Sequence, residues 1–112
     1  MLTLKTSQDF QRVRREGRSW GHPLIVLIAC PNDQSNIRVG IAAGKNVGNA
    51  VARNRAKRRL RSALRQAEAQ LAPGWDVVLI ARPPLVKARW PDVTEALAQL
   101  MRRAKLLRGS EG

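Results

Sequence analysis

The chain has few of the side chains that enzymes most often use for chemistry. Its 112 residues include one cysteine, one histidine, one phenylalanine and no tyrosine. The single Cys30 cannot close an internal disulfide, so a reducing, cytoplasmic setting is the default expectation. We interpret Cys30 as a small apolar residue at a strand end. His22 stands beside Pro23, where a surface or capping role is more common for a lone histidine than catalysis.

Acidic residues are also scarce, with eight Asp and Glu against 21 Lys and Arg. The carboxylates are scattered, and the one close pair, Asp92 and Glu95, suits the first turn of a helix. The sequence shows no zinc-ligand spacing, phosphate-binding glycine motif or nucleophile elbow. These absences argue against an autonomous nuclease and predict no catalytic residue and no metal site in the protein.

Long hydrophobic runs are missing, and the longest, Leu24 to Cys30, has only the length of a strand. No basic helix carries an aromatic insertion face, so we expect no membrane partner. The 44% of hydrophobic residues suffices for a modest core. We therefore predict a single domain over residues 1–108 and a loose C-terminal tail over residues 109–112.

Arginine is what the chain has in excess. Sixteen of the 21 basic residues are Arg, and the net charge is +13. The planar guanidinium matches phosphate bidentately and stacks on bases, so this bias favours a nucleic-acid partner. An organism whose proteins are generally rich in arginine would produce the same excess without any partner, and this alternative stays open.

The hydrophobic pattern predicts alternating helices and strands. Phe10 and Val13 face inward from a first helix, and Asn49 caps a long second helix that Pro73-Gly74 stops. The strands at 24–29 and 37–43 are expected to form an antiparallel hairpin. At least two of Trp20, Trp75 and Trp90 are expected to pack against the core. The predicted elements are a helix over 7–17, strands over 24–29 and 37–43, a helix over 50–71, a strand over 77–81 and a helix from 91 to about 108.

The segment from Arg53 to Arg65 contains seven basic residues and no acidic one. Like charges three or four residues apart on a helix each cost roughly 0.2–0.5 kcal/mol, so a merely solvated face would normally include glutamates. Asn54 interrupts the row of donors with an acceptor. One stripe of the helix is apolar: Ala52, Ala56, Leu60, Ala63, Ala67 and Leu71. The opposite stripe, with Asn54, Arg58, Arg61 and Arg65, is predicted to contact RNA; a ribosomal or assembly protein is the alternative that remains.

The basic helix and its preceding loop match a known signature. The pattern Lys45-x-x-Gly48-x-Ala50-Val51-x-Arg53-Asn54-x-x-Lys57-Arg58-x-x-Arg61 closely resembles that of the bacterial ribonuclease P protein subunit. Three further segments, Ser7-x-Asp9-Phe10, Arg38-Val39-Gly40 and Ile80-Ala81-Arg82-Pro83, also look like that family. The resemblance extends in the expected order from Ser7 to about Leu107.

The resemblance implies an α/β (α+β) two-layer sandwich of order αβββαβα, with a left-handed βαβ crossover that carries the basic helix. It also implies a protein that assists a catalytic RNA in removing the 5′ leader from precursor tRNA. The RNA would perform the hydrolysis with magnesium ions, whose requirement the protein lowers. The protein itself would bind no cofactor, and DNA is not an expected partner.

The resemblance assigns two surfaces to this chain. Its catalytic-RNA-binding residues would be Lys45, Arg53, Asn54, Arg55, Lys57, Arg58, Arg61 and Arg65. Its leader-binding cleft, between the first helix and the sheet, would contain Phe10, Arg14, Arg18, Leu24 and Leu27. Arg14 stands where relatives often have a second aromatic residue, and Leu24 and Leu27 occupy a strand that is often aromatic. Ser62 stands where members of that family usually have Glu. Stacking in this cleft is therefore expected to be limited.

Overall fold

Five β-strands and three α-helices follow one another in a computed structural model of the chain, which describes residues 2–109. The predicted order αβββαβα is confirmed, with a two-residue strand added before it. Residues 110–112 of the predicted tail lie outside the described residues. The bounds are β1 Leu2–Thr3, α1 Ser7–Glu16, β2 Arg18–Gly21, β3 Ile25–Pro31, β4 Ile37–Ala43, α2 Ala50–Ala67, β5 Trp75–Ala81 and α3 Trp90–Arg103.

The strands form one sheet in the order β1-β4-β5-β3-β2. The predicted antiparallel hairpin of β3 and β4 is wrong, because β5 lies between them, antiparallel to β3 and parallel to β4. The uninterrupted apolar run of β5 is buried best at the centre of a sheet, where both faces are covered. The hairpin is instead formed by β2 and β3, with Trp20 opposite Leu27.

The connection from β4 through α2 to β5 joins two adjacent parallel strands. Parallel strands cannot be joined by a tight turn, so a crossover element is required, and here it is the basic helix. This is the βαβ unit that the resemblance implies. The left hand of that crossover stays a prediction.

Helices cover both faces of the sheet. On one face α2 and α3 enclose the main core, which includes Leu27, Val39, Leu60 and Leu97. On the other face α1 packs over β3 and β5, and a smaller cluster forms there around Val13. The two-layer description therefore applies to the main core, and α1 adds a partial third layer.

The ends of α2 follow from local chemistry. The side chain of Asn49 accepts a hydrogen bond from the Ala52 amide at 2.9 Å, which confirms the predicted N-cap. The helix ends at Ala67, four residues before the predicted Leu71, and continues as the short 3₁₀ helix Glu68–Gln70. Leu71 is still buried, because it forms a bridge with Leu107 beyond α3. Its apolar character thus reflects tertiary packing and not continuation of the helix.

The three tryptophans are partly buried, and each packs against the main core. The expectation that at least two of them have packing roles is therefore confirmed. Arg18 lies over the ring of Trp20 at 5.4 Å, and Arg59 lies over the ring of Trp90 at 5.8 Å. Two guanidinium groups thus cover the outer parts of these rings.

Candidate nucleic-acid interface

Four basic side chains of α2 are exposed on the side away from the buried stripe formed by Ala56, Leu60, Ala63 and Leu64; they are Arg55, Arg58, Arg61 and Arg65. Within residues 2–109, none of the Lys and Arg side chains of this helix forms an ion pair with a carboxylate. Arg53, Lys57 and Arg59 are half-buried, whereas the other basic residues of the helix are exposed. A shallow groove of about 440 Å³ runs along this face and is lined by Val51, Asn54, Lys57, Arg58 and Arg61.

Lys45 lies before α2, in the short 3₁₀ helix Lys45–Val47. Its side chain is exposed, while Val47 two residues later is buried and anchors the turn. Gly48 follows with φ of +141°, a conformation that L side chains rarely adopt. Lys45 does not line the groove on α2, but the 3₁₀ helix that contains it contacts α2.

Phe10 lies at the sheet edge between α1 and β4, where it packs against Gly40. A Cβ atom at position 40 would lie 2.5 Å from Cζ of Phe10, so the ring needs a glycine beneath it. Phe10 lines one groove of about 340 Å³ together with Lys5, Ser7, Gln11 and Arg14. Phe10 and Arg14 therefore come together, as predicted.

A further groove of about 490 Å³ starts at Phe10 and runs along the β1–β4 edge to α2. Arg61 and Arg65 of α2 line its far side, and Arg61 also lines the groove on the basic face. The surface around Phe10 and the basic helix are therefore neighbours that meet at Arg61. The sequence did not reveal this, because it depends on how α1 and α2 meet the sheet edge. The remaining lining residues are Thr3, Leu4, Lys5, Val39, Ile41 and Leu64.

Three of the predicted cleft residues lie elsewhere. Leu27 is fully buried in the main core under α2 and α3, and Leu24 packs against the same core. Arg18 pairs with Ala29 across the β2–β3 hairpin and lies over Trp20, so it also belongs to that face. Successive side chains of a strand alternate between faces, so Leu27 and Arg18 have the wrong parity for the α1 side. Leu24 precedes β3, so this alternation does not apply to it.

The apolar side chains that face α1 from β3 and β5 are Val26, Ile28, Cys30, Val78 and Ile80. They alternate in sequence with the residues of the main core. Because Leu24 to Cys30 is apolar throughout, its pattern carried no signal for which residues face α1.

A buried ion cluster on the α1 face was missed altogether. Asp76 of β5 is fully buried, and its carboxylate accepts hydrogen bonds from Nε of Arg38 at 2.8 Å and from Nη2 of Arg38 at 2.6 Å. The amide of Asn32 donates at 3.0 Å, and Arg12 of α1 donates as well. The cluster joins α1, β4 and β5 at one end of the sheet. One available signal was Asp76 itself, a charged residue directly before the apolar run from Val77 to Ala81.

These contacts determine the charge state of the cluster. Burial would raise the pKa of Asp76, but the hydrogen bonds from Arg38, Asn32 and Arg12 outweigh it and lower that pKa. The same bonds raise the pKa values of Arg38 and Arg12. Arg12 and Arg38 are therefore held by a carboxylate and are less free for phosphate than the arginines of α2.

The remaining candidates for chemistry have structural roles. Cys30, predicted to be a small apolar residue at a strand end, is buried in the α1-side cluster, and its Sγ accepts a hydrogen bond from Arg12 at 3.3 Å. Burial raises the pKa of this thiol. In the turn between β2 and β3, the Nδ1 atom of His22 accepts a hydrogen bond from the Leu24 amide at 3.0 Å. Across residues 2–109 there is neither a cluster of metal-ligating side chains nor a helix able to span a membrane.

The fold and its charges define a class: a small α+β protein whose crossover helix carries an exposed basic face. The pattern that defines the ribonuclease P protein family matches residues 2–105. The ribonuclease P protein component of Herpetosiphon aurantiacus is 43% identical over 103 residues, which cover 92% of this chain and 84% of that protein. That of Roseiflexus castenholzii is 42% identical over 108 residues, covering 96% and 88%.

Solved structures agree. The RNase P protein of Staphylococcus aureus superposes with a TM-score of 0.85 at 28% identity, covering 96% of this chain and 99% of that one. The RNase P protein of Thermotoga maritima superposes with a TM-score of 0.82 at 28% identity, covering 92% of this chain and 97% of that one. The chain belongs to the ribonuclease P protein family, whose members are subunits of a tRNA-processing ribonucleoprotein. Membership implies association with the RNase P RNA.

Proposed function

We propose that this protein assists a catalytic RNA in removing the 5′ leader of precursor tRNA and contributes no catalytic residue itself. The observation that carries the proposal is the face of α2, where basic side chains crowd together without one ion pair among the described residues. Such a face is costly in the free protein and is relieved by phosphates. A cytoplasmic location, expected from the sequence, stays a prediction.

The basic face of α2 is proposed to bind the catalytic RNA. Arg58 and Arg61 are exposed and line the same groove as Asn54. Each phosphate that they neutralise releases condensed counterions, so affinity falls steeply as salt rises. Fixed positive charge where RNA strands converge also replaces part of the divalent ions otherwise needed. The protein thereby lowers the magnesium requirement, while the RNA holds the ions that act in hydrolysis.

The grooves around Phe10 are proposed to bind the single-stranded leader. The Phe10 ring offers a stacking surface, and Arg14 and Lys5 lie beside it in the same groove. Stacking and backbone contacts tolerate varied sequence, which suits leaders that differ among precursors. Because the neighbouring groove reaches Arg61 and Arg65, a leader on Phe10 would lie next to the RNA bound by α2.

The decisive experiment is reconstitution with a bacterial ribonuclease P RNA at low magnesium concentration. We expect the protein to restore cleavage of precursor tRNA that the RNA alone performs poorly under these conditions. Unchanged cleavage after addition of the folded protein would show that the proposed function is wrong.

Variants separate the two surfaces. We expect Arg58→Ala to weaken holoenzyme assembly more than Phe10→Ala does, because Arg58 lies on the α2 face away from Phe10. Phe10→Ala should chiefly weaken discrimination between precursor and mature tRNA. The control is Arg102→Ala, which removes the same charge from α3, where Arg102 pairs with Glu95 at 3.2 Å. Equal losses of affinity for both tRNAs in Phe10→Ala would contradict the leader assignment.

A further inference from the structure

A second groove on α2, on the side towards the start of α3, has a different chemical character. It has a volume of about 370 Å³ and is lined by Arg55, Arg58, Arg59, Ser62 and Trp90. Arg55 and Ser62 each lie three or four residues from both Arg58 and Arg59, so the four residues from α2 share one side of the helix. Arg58 lines this groove and the one beside Asn54, and thus forms the ridge between them. We refer to it as the Trp90 groove.

One wall of the Trp90 groove is a fixed pair of planar groups. Trp90 is the first residue of α3, and its ring is partly buried against the main core. The guanidinium of Arg59 lies 5.8 Å from the ring centroid and donates a hydrogen bond to the carbonyl oxygen of Ala88. Arg59 is therefore held to the segment before α3 by two contacts, and its plane does not have to be ordered by a ligand.

The open sides of the Trp90 groove carry uncompensated charge. Arg55 and Arg58 are exposed, and in the described part of the chain neither forms an ion pair. The five lining residues include no carboxylate. Exposed guanidinium groups bind phosphate oxygens bidentately, whereas a planar wall of indole and guanidinium stacks on a nucleobase. The groove thus offers separate places for a base and for its phosphates.

We propose that the Trp90 groove binds one unpaired nucleotide of the catalytic RNA. Its base stacks against the Trp90–Arg59 wall, and its flanking phosphates contact Arg55 and Arg58. A base inside a duplex is stacked on both faces, so only a bulged or loop nucleotide can insert. The identity of the RNA rests on the proposed function; the nucleotide site itself rests on the groove.

The test compares Ser62→Glu with Ser62→Gln. Ser62 lies one helical turn after Arg58 and Arg59, so a glutamate there pairs with them and blocks their phosphates while the fold is retained. Glutamine has nearly the same shape without the charge and is the matched control. Both variants are checked for an unchanged thermal midpoint, and binding to a bacterial ribonuclease P RNA is then measured at several salt concentrations.

We expect Ser62→Glu to bind the RNA about 10-fold more weakly near physiological salt. The slope of log affinity against log salt should fall by about 1.4, since each of two single-stranded phosphates contributes about 0.7. Ser62→Gln should retain the wild-type slope. Trp90→Leu, which keeps an apolar contact with the core, should leave the slope unchanged but restore 2′-hydroxyl acylation at one unpaired nucleotide that the wild type protects.

Two results overturn the inference in different ways. If both Ser62 variants show the wild-type slope, or if Trp90→Leu changes no acylation, the Trp90 groove does not hold a nucleotide while the proposed function stands. If the wild-type protein itself fails to bind the ribonuclease P RNA, the proposed function fails and the inference fails with it.

Discussion

Replacing Asp76 with Asn should destabilise the fold strongly, because this carboxylate accepts four hydrogen bonds from three residues. Arg38 donates twice, Asn32 once, and Arg12 approaches from α1. An amide cannot accept at both of its ends, so one guanidinium would face an NH₂ group. Breaking a buried ion pair costs roughly 3–5 kcal/mol. The side chains of Arg12 and Arg38 remain 29% and 24% exposed. We therefore expect the free energy of unfolding to fall by about 2–3 kcal/mol, at or just below the lower end of that range.

The pH dependence of this loss follows from the direction of the pKa shift. Arg38, Asn32 and Arg12 lower the pKa of Asp76 despite its burial. Above the ordinary pKa of about 3.9 for an unfolded Asp, both states are ionised and the stabilisation is complete. As the pH falls below that value towards the lower folded pKa, the unfolded state binds the proton first and stabilisation is lost. The gap between wild type and Asp76→Asn should therefore be constant from pH 5 to 7 and narrow below about pH 4.

Urea unfolding followed by circular dichroism, at pH 7 and pH 3 and at constant ionic strength, measures both effects. Asp92→Asn is the control, because Asp92 is an exposed carboxylate in the first turn of α3. Asp92→Asn should lower the free energy of unfolding by less than about 1 kcal/mol. A loss of under about 0.5 kcal/mol for Asp76→Asn at pH 7, the usual range for surface substitutions, would refute the role of the cluster. An identical loss at both pH values would refute the assignment of the charge.

Three further predictions concern Phe10 and α2. Gly40→Ala places a Cβ 2.5 Å from Cζ of Phe10, so the ring must move from its position. The preference for binding precursor over mature tRNA should then fall several-fold. An unchanged preference would mean that the ring position is unimportant. Asn49→Ala removes the cap of α2 and should cost about 1 kcal/mol in urea unfolding, and a change of a few tenths would contradict the cap. Sulfate should raise the thermal midpoint more than chloride at equal ionic strength, because a bound dianion relieves the repulsion along α2; equal midpoints would argue against that repulsion.

The sequence was sufficient for features that depend on neighbouring residues. Asn49 caps α2, Phe10 and Val13 face inward from α1, and the basic stripe of α2 lies opposite its buried one. Each follows from helical periodicity or capping, which involve contacts within a few residues.

Features that depend on pairing between distant segments could not be read from the sequence. The apolar run at Leu24 to Cys30 does not show which residues face α1, so Leu27 was placed on the wrong side of the sheet. The environment of Asp76 depends on Arg12 and Arg38, which lie 64 and 38 residues away in the chain. The sequence around a single carboxylate does not indicate which distant residues will form hydrogen bonds with it.

The central position of β5 has a consequence for synthesis of the chain. β3 and β4 are complete by Ala43, but they cannot pair with each other in the final sheet, because the strand between them begins only at Trp75. Until the ribosome has added about 40 more residues, both strands present an open edge where β5 will insert. The residues of α2 are added within that interval, before the sheet on which the helix packs is complete. Chains truncated before Trp75 should therefore aggregate or remain unfolded, because β5 both completes the sheet and provides part of the surface on which α2 packs.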